Sequence, residues 1–293
     1  MDTNANTVTI PSNTAPKIPA SIIVTGKILQ FMVPTLATIF AIKLFGTPMR
    51  FKTPARENMM AESAQKKMVL IPEIKKEVMV YSYGYSKRKV LLIHGWSGRG
   101  TQLFKIADKL LENGFMTISF DGPAHGNSTG KTTMMHEFVK TALFLEKEFG
   151  PFEVAIGHSL GAMTVLNSIK QGLNVKKAIT IGSGDVISDI IKEFVAKLQL
   201  KPKMVHRIKN QFYKKFGEDI DNYSASVAAK SVKVPTLVLH DTADKDVPVI
   251  CAHNIRRNLE QGEIFITNDL GHSRILKDSK VINRIIEFIK RNN

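Results

Sequence analysis

Gly157-His158-Ser159-Leu160-Gly161 sets a serine between two glycines, after a strand-like run and before a helix-like one. Pro151 to Ile156 is short and partly apolar, and Ala162 to Ile169 carries helical spacing. That context predicts a tight strand-to-helix turn that lifts the serine hydroxyl out of a sheet. Side chains at either glycine would collide where strand and helix converge. A serine hydroxyl is a weak nucleophile at neutral pH, so the turn has chemical meaning only with partners.

The partners of such a serine follow it in the chain, acid first and histidine last. Val234 to His240 reads as a buried strand, and the loop beyond it holds Asp241, Asp244 and Asp246. Asp244 is placed where that loop can turn back over the sheet, and it is the candidate acid. Asp241 and Asp246 are read as loop-capping or solvated groups that could displace it, and Asp185 is a second-rank alternative. His272, after the strand-like run Glu263 to Thr267 and beside Gly271, is the candidate base; the bland alternative is a surface histidine at a helix start. Serine, aspartate and histidine each end a separate strand-like run, at the sheet edge where open α/β proteins assemble their sites. Val90 to Ile93 runs into His94-Gly95-Trp96-Ser97-Gly98. A turn of this kind can supply one backbone N–H to an oxyanion, from Trp96, while Leu160 supplies the other. The remaining candidate substrate contacts are the Trp96 side chain, His158, Phe194 and Phe212.

These stretches together resemble the α/β-hydrolase superfamily, in its serine esterase and lipase-like branch. His94-Gly95-Trp96 matches the family's oxyanion loop, Gly157 to Gly161 its nucleophile elbow, and Asp121 to Ser128 the turn after the following strand. His240 to Pro248 fits the acid loop and Gly271-His272 the histidine loop, over roughly residues 78 to 293. The resemblance implies a Ser159–His272–Asp244 triad, a carboxylic ester as substrate and no cofactor. It departs from the family at Asp241, where glycine is common. Serine at 159, in place of aspartate, argues against the dehalogenase and epoxide hydrolase branches.

The other histidines carry bland readings: His94 and His125 as structural, and His158 lining the site but poorly aimed to deprotonate its neighbour. With no H-x-x-x-H or H-E-x-x-H pairing, no metal is expected. The single cysteine, Cys251, precludes an intrachain disulfide and suits a reducing, cytoplasmic place; it is read as a core residue. The net charge of +15 favours anionic partners. The basic residues are scattered and accompany no nucleic-acid-binding motif, so a nucleic-acid partner is disfavoured and an anionic membrane surface preferred. Nothing in the sequence sets the oligomeric state.

Strand-like runs at 78–83, 89–93, 116–120, 153–156, 177–181, 235–240 and 263–267 alternate with helical patterns. Such alternation specifies a mainly parallel, doubly wound sheet of the α/β class. The rhythm breaks at about 183–223, which reads as a two-helix cap (186–200 and 203–216) over the proposed serine. Residues 1–18 read as a disordered leader. Residues 19–77 read as one apolar helix, which contains Pro34, and a basic connector with one short helix over 49–77. The apolar stretch has three readings: packing on the core as a lid, lying on a membrane, or spanning one.

Overall fold

Side chains of the central strands alternate between two apolar layers, as a sheet covered on both faces requires. The computed structural model describes residues 18–291, so the leader read over 1–18 lies, but for Ile18, outside the described residues. The strands are β1 (Gln65–Ile71), β2 (Lys76–Tyr83), β3 (Lys89–Ile93), β4 (Met116–Phe120), β5 (Val154–His158), β6 (Lys177–Ile181), β7 (Thr236–Asp241) and β8 (Gly262–Thr267). The first helices are α1 (Ala20–Met32), α2 (Pro34–Phe45), α3 (Asn58–Ser63), α4 (Phe104–Glu112), α5 (Met135–Phe149) and α6 (Leu160–Lys170). They are followed by α7 (Ile187–Lys197), α8 (Lys203–Phe216), α9 (Ala225–Ala229), α10 (Ile250–Asn258), α11 (Gly271–Arg274) and α12 (Ser279–Lys290). The sheet runs β1-β2-β4-β3-β5-β6-β7-β8, with β2 antiparallel to both its neighbours, β1 and β4, and all later neighbours parallel.

Val90, Leu92, Val154, Ile156, Ile179, Leu237 and Leu239 face α4 and α12 on one side. Leu91, Ile93, Ala155 and Ala178 face α5 and α6 on the other. This is a doubly wound α/β sheet, and the elements that carry Ser159, Asp244 and His272 all leave it at its C-terminal edge.

The connector expected over 49–77 is corrected at 65–71, where β1 pairs with β2 along its whole length. Only Val69 and Ile71 of β1 are buried. An outer strand rich in lysine, which discourages edge-to-edge pairing, has too little apolar alternation to be read as a strand.

The N-terminal apolar helix is two helices. Pro34, lacking an N–H and fixing φ, opens α2 as its first residue and ends α1. Both lie on the cap formed by α7 and α8. The Lys201 N–H donates to Gln30 Oε1 at 2.7 Å, and Lys27 Nζ donates to Gln199 Oε1 at 2.7 Å. Phe45 meets Phe194 edge-on at 5.2 Å. Among the described residues no helix is long and apolar enough to cross a membrane, which removes the spanning reading.

Candidate active site

Ser159 sits between β5 and α6 with φ 54° and ψ −118°, a left-handed backbone that a residue with a Cβ adopts only under strain. The flanking glycines explain how the turn closes. A Cβ at Gly157 would lie 2.2 Å from the Gly161 carbonyl oxygen, and one at Gly161 would lie 2.1 Å from the Ile93 oxygen. Gly161→Ala should therefore destabilise the fold by about 3 kcal/mol or more, read from urea unfolding, because backbone rather than a pliable side chain is in the way. The Ser159 N–H donates to the Ile181 oxygen at 2.9 Å, which pins the turn to the next strand.

The loop after β3 lies directly against this turn: a Cβ at Gly95 would come within 3.0 Å of the Ser159 Cβ. Two buried histidines brace the loop. His94 Nε2 accepts from the Gly122 N–H at 2.8 Å, which leaves Nδ1 to donate to the Gly95 oxygen at 2.6 Å. His125 Nε2 accepts from the Ser97 N–H at 3.0 Å, and Nδ1 donates to the Pro123 oxygen at 3.0 Å. The Asp121 carboxylate takes the N–H groups of Gly100 and Asn127, each at 2.7 Å. The Trp96 and Leu160 N–H groups find no acceptor among the described residues.

Burial pushes the basicity of these imidazoles down, to about 4 for His94 and about 3 for His125. His158 falls to about 3, from burial first and the neighbouring His272 charge second. In the unfolded chain they protonate near pH 6.5. The stability they contribute is complete above that pH and is lost as pH falls toward their folded values. At pH 5 the unfolded state gains about 2 kcal/mol from each. The melting temperature should drop by on the order of 10 °C between pH 7 and pH 5, measured by calorimetry.

Gly271 opens α11 with a φ of 67° that turns the loop back over the sheet, and His272 follows it. Its Nδ1 lies 2.7 Å from Asp244 Oδ2, and since a carboxylate only accepts, Nδ1 carries the hydrogen. The Asp244 carboxylate is buried and takes the Asp246 and Val247 N–H groups on Oδ1, both at 2.9 Å. Burial alone would raise its pKa; the His272 bond and charge with the two N–H bonds outweigh that and hold it below the usual carboxylate range. Asp241 is the capping group it was read as: it accepts from Ala243 N–H, Gly271 N–H and Thr267 Oγ1, tying β7 to the histidine loop. Asp185 accepts from the Ser226 N–H at 2.8 Å and bonds no histidine.

Ser159 and His272 each approach the end of β6. A Cβ at Gly182 would lie 3.3 Å from the His272 ring, while Ser159 is bonded to Ile181. The hydrogen bonds of this structure include the one from His272 to Asp244 but none between the Ser159 hydroxyl and His272.

The family model described as alpha/beta hydrolase fold matches residues 89–225, from β3 through the elbow to the cap. The chain has the α/β-hydrolase fold. No curated protein matches the sequence. Among solved structures, the chain is similar to the esterase Pf2001 of Pyrococcus furiosus, at 18% identity and TM-score 0.65, covering 84% of this chain and 98% of that one. A membrane phospholipase A, described as a bacterial virulence factor, aligns at 16% identity and TM-score 0.61 over 92% of this chain and 95% of its own. A bromoperoxidase from Bacillus anthracis aligns at 16% identity and TM-score 0.59 over 78% and 100%. At these identities the likeness is one of fold.

In this fold a cavity of about 570 Å³ opens beside Ser159, Leu160 and Trp96. Phe194 and Phe212 of the cap line it. His158, expected to contact substrate, does not. Its ring is buried behind the site, donates from Nε2 to the His272 oxygen at 3.0 Å and lies tilted against the His272 ring, centroids 4.6 Å apart. Following Gly157 in the strand, it points to the sheet interior and braces the His272 loop instead. Cys251, read as a core residue, is half-buried and lines the cavity; burial first, and the Asp185 and Asp189 charges next, push its thiol up to about 11. Sequence reasoning missed Leu44, Phe45, Met134 and Met135 in the wall. The one available signal was that residues 28–45 are apolar all round, which demands cover on more than one side. Asp244, Asp246 and His272 bring metal-type donor atoms within 4.8 Å of one another. A hydrogen shared between His272 and Asp244 already occupies the centre of that group.

Proposed function

We propose that the protein is a serine hydrolase that cleaves a carboxylic ester with an apolar acyl group through an acyl-enzyme. The observation that carries this reading is the buried Asp244 carboxylate holding His272 Nδ1 beside a strained serine turn that faces an apolar cavity. Asp244 fixes the tautomer, so His272 Nε2 is the free base. Nε2 takes the Ser159 proton as Oγ attacks the carbonyl, and Asp244 stabilises the imidazolium that results. The unpartnered N–H groups of Leu160 and Trp96 are suited to the developing oxyanion. The imidazolium returns its proton to the leaving alcohol, and water then clears the acyl group from Ser159 by the same steps. The serine–histidine hydrogen bond is often long in unliganded hydrolytic sites and tightens around substrate. The acyl part would lie among Phe45, Met163, Phe194 and Phe212. No cofactor takes part in this chemistry, and a free thiol at Cys251 suits a reducing, cytoplasmic setting.

The test is labelling with a fluorophosphonate, followed by turnover of p-nitrophenyl esters of graded chain length. A single adduct on Ser159 and a rise in kcat/KM from acetate to a medium acyl chain are expected. An unlabelled folded protein would instead favour a ligand-binding role for the same cavity. Thioesters, amides and carbon–carbon bonds belong in the panel, because the scaffold supports all of them.

A further inference from the structure

Helices α1 and α2 are apolar on every side, yet protein covers only one side of each. Toward the cap they bury Gly26, Gln30, Ala37, Thr38 and Ala41. They cross where a Cβ on Gly26 would meet both Phe40 and Leu200. On the outward side stand Val24, Ile28, Leu36 and Ile39, and the bend between the helices carries Phe31 at 88% and Met32 at 70% exposure. An uncovered helical face of this kind on a folded protein marks an interaction surface. Its charge says what covers it. From residue 3 to residue 56 the sequence contains no aspartate or glutamate, and Glu57 is the first acid after Asp2. Lys27, Lys43 and Lys52 are exposed and in no salt bridge among the described residues. Lys201 joins them where α1 bonds the cap.

We propose that the α1–α2 hairpin docks on an anionic phospholipid surface, with Phe31 and Met32 inserted below the headgroups. A second copy of the chain would bring these same cations against one another across a two-fold axis, whereas anionic headgroups neutralise them. At 13 and 12 residues the helices are about 20 Å and 18 Å long, too short to span and suited to lying in the interface. Leu44 and Phe45, the last residues of α2, stand in the wall of the cavity beside Ser159. One helix thus joins the lipid surface to the acyl pocket. The substrate class that follows, a membrane-derived acyl ester, rests on the hydrolase reading; the docking does not.

The test is flotation of the full chain with vesicles of phosphatidylcholine alone and with about one third phosphatidylglycerol. Flotation is expected with the anionic vesicles, weakening as salt screens the charges. The double variant Phe31→Ser, Met32→Ser should bind at least about tenfold more weakly while hydrolysing p-nitrophenyl acetate at the native rate. A native chain that floats with neither vesicle, or a variant that floats as well as native, overturns the proposal. So does a native dimer that the substitutions convert to monomer, which would assign the face to a second copy. Fluorophosphonate labelling without flotation removes the docking and leaves the hydrolase reading; flotation without labelling does the reverse.

Discussion

Ser159→Ala is expected to lower kcat/KM toward p-nitrophenyl esters by about 10⁶ and to abolish the fluorophosphonate adduct. The loss is large because attack, proton transfer and acyl-enzyme formation all depend on one oxygen, so no partial mechanism survives its removal. The same substitution should leave folding nearly untouched. The Ser159 side chain makes no capping hydrogen bond, and alanine keeps the Cβ that the turn already tolerates at φ 54°. Thermal unfolding within about 2 °C of native would separate lost chemistry from lost structure. Activity within tenfold of native in a correctly folded variant would place the nucleophile elsewhere.

Asp244→Asn should reduce kcat by about 10⁴ at neutral pH. The argument is one of hydrogen direction. Asparagine Oδ1 can still accept from the Asp246 and Val247 N–H groups, so the loop keeps its shape. Its amide nitrogen then faces His272 Nδ1, which must become an acceptor, and the hydrogen moves to Nε2. The imidazole is left unable to accept a proton from Ser159. Asp246→Asn is the control: its side chain is exposed, it does not bond Nδ1, and the expected change is within about threefold. A reversal of those two results would hand the acid's role to Asp246.

The central sheet was legible because its strands are buried on both faces and read as short apolar runs divided by turns. The elbow was legible because glycine is the one residue that fits at 157 and 161, so steric need leaves a mark in the sequence. Asp244 could be chosen over Asp241 only by its place in the loop; the hydrogen bonds that occupy Asp241 depend on Thr267 and Gly271, far along the chain. His158 was misread because a residue next to Ser159 invites a substrate-facing reading, whereas strand alternation turns it inward. The outer strand β1 and the division of the N-terminal helix at Pro34 were missed for opposite reasons. The first is too polar to announce itself, and the second is so uniformly apolar that its pattern does not say which side is covered.

Phe45 and Phe194 touch across the cavity from stretches of chain that carry none of the reacting groups. Selectivity and reactivity are therefore written in separate paragraphs of the gene product. On the proposed reading, drift among residues 20–45 would reshape which acyl tails fit while the sheet and Ser159, Asp244 and His272 stay as they are. Appended helices of this kind give an old scaffold a new diet without disturbing its teeth.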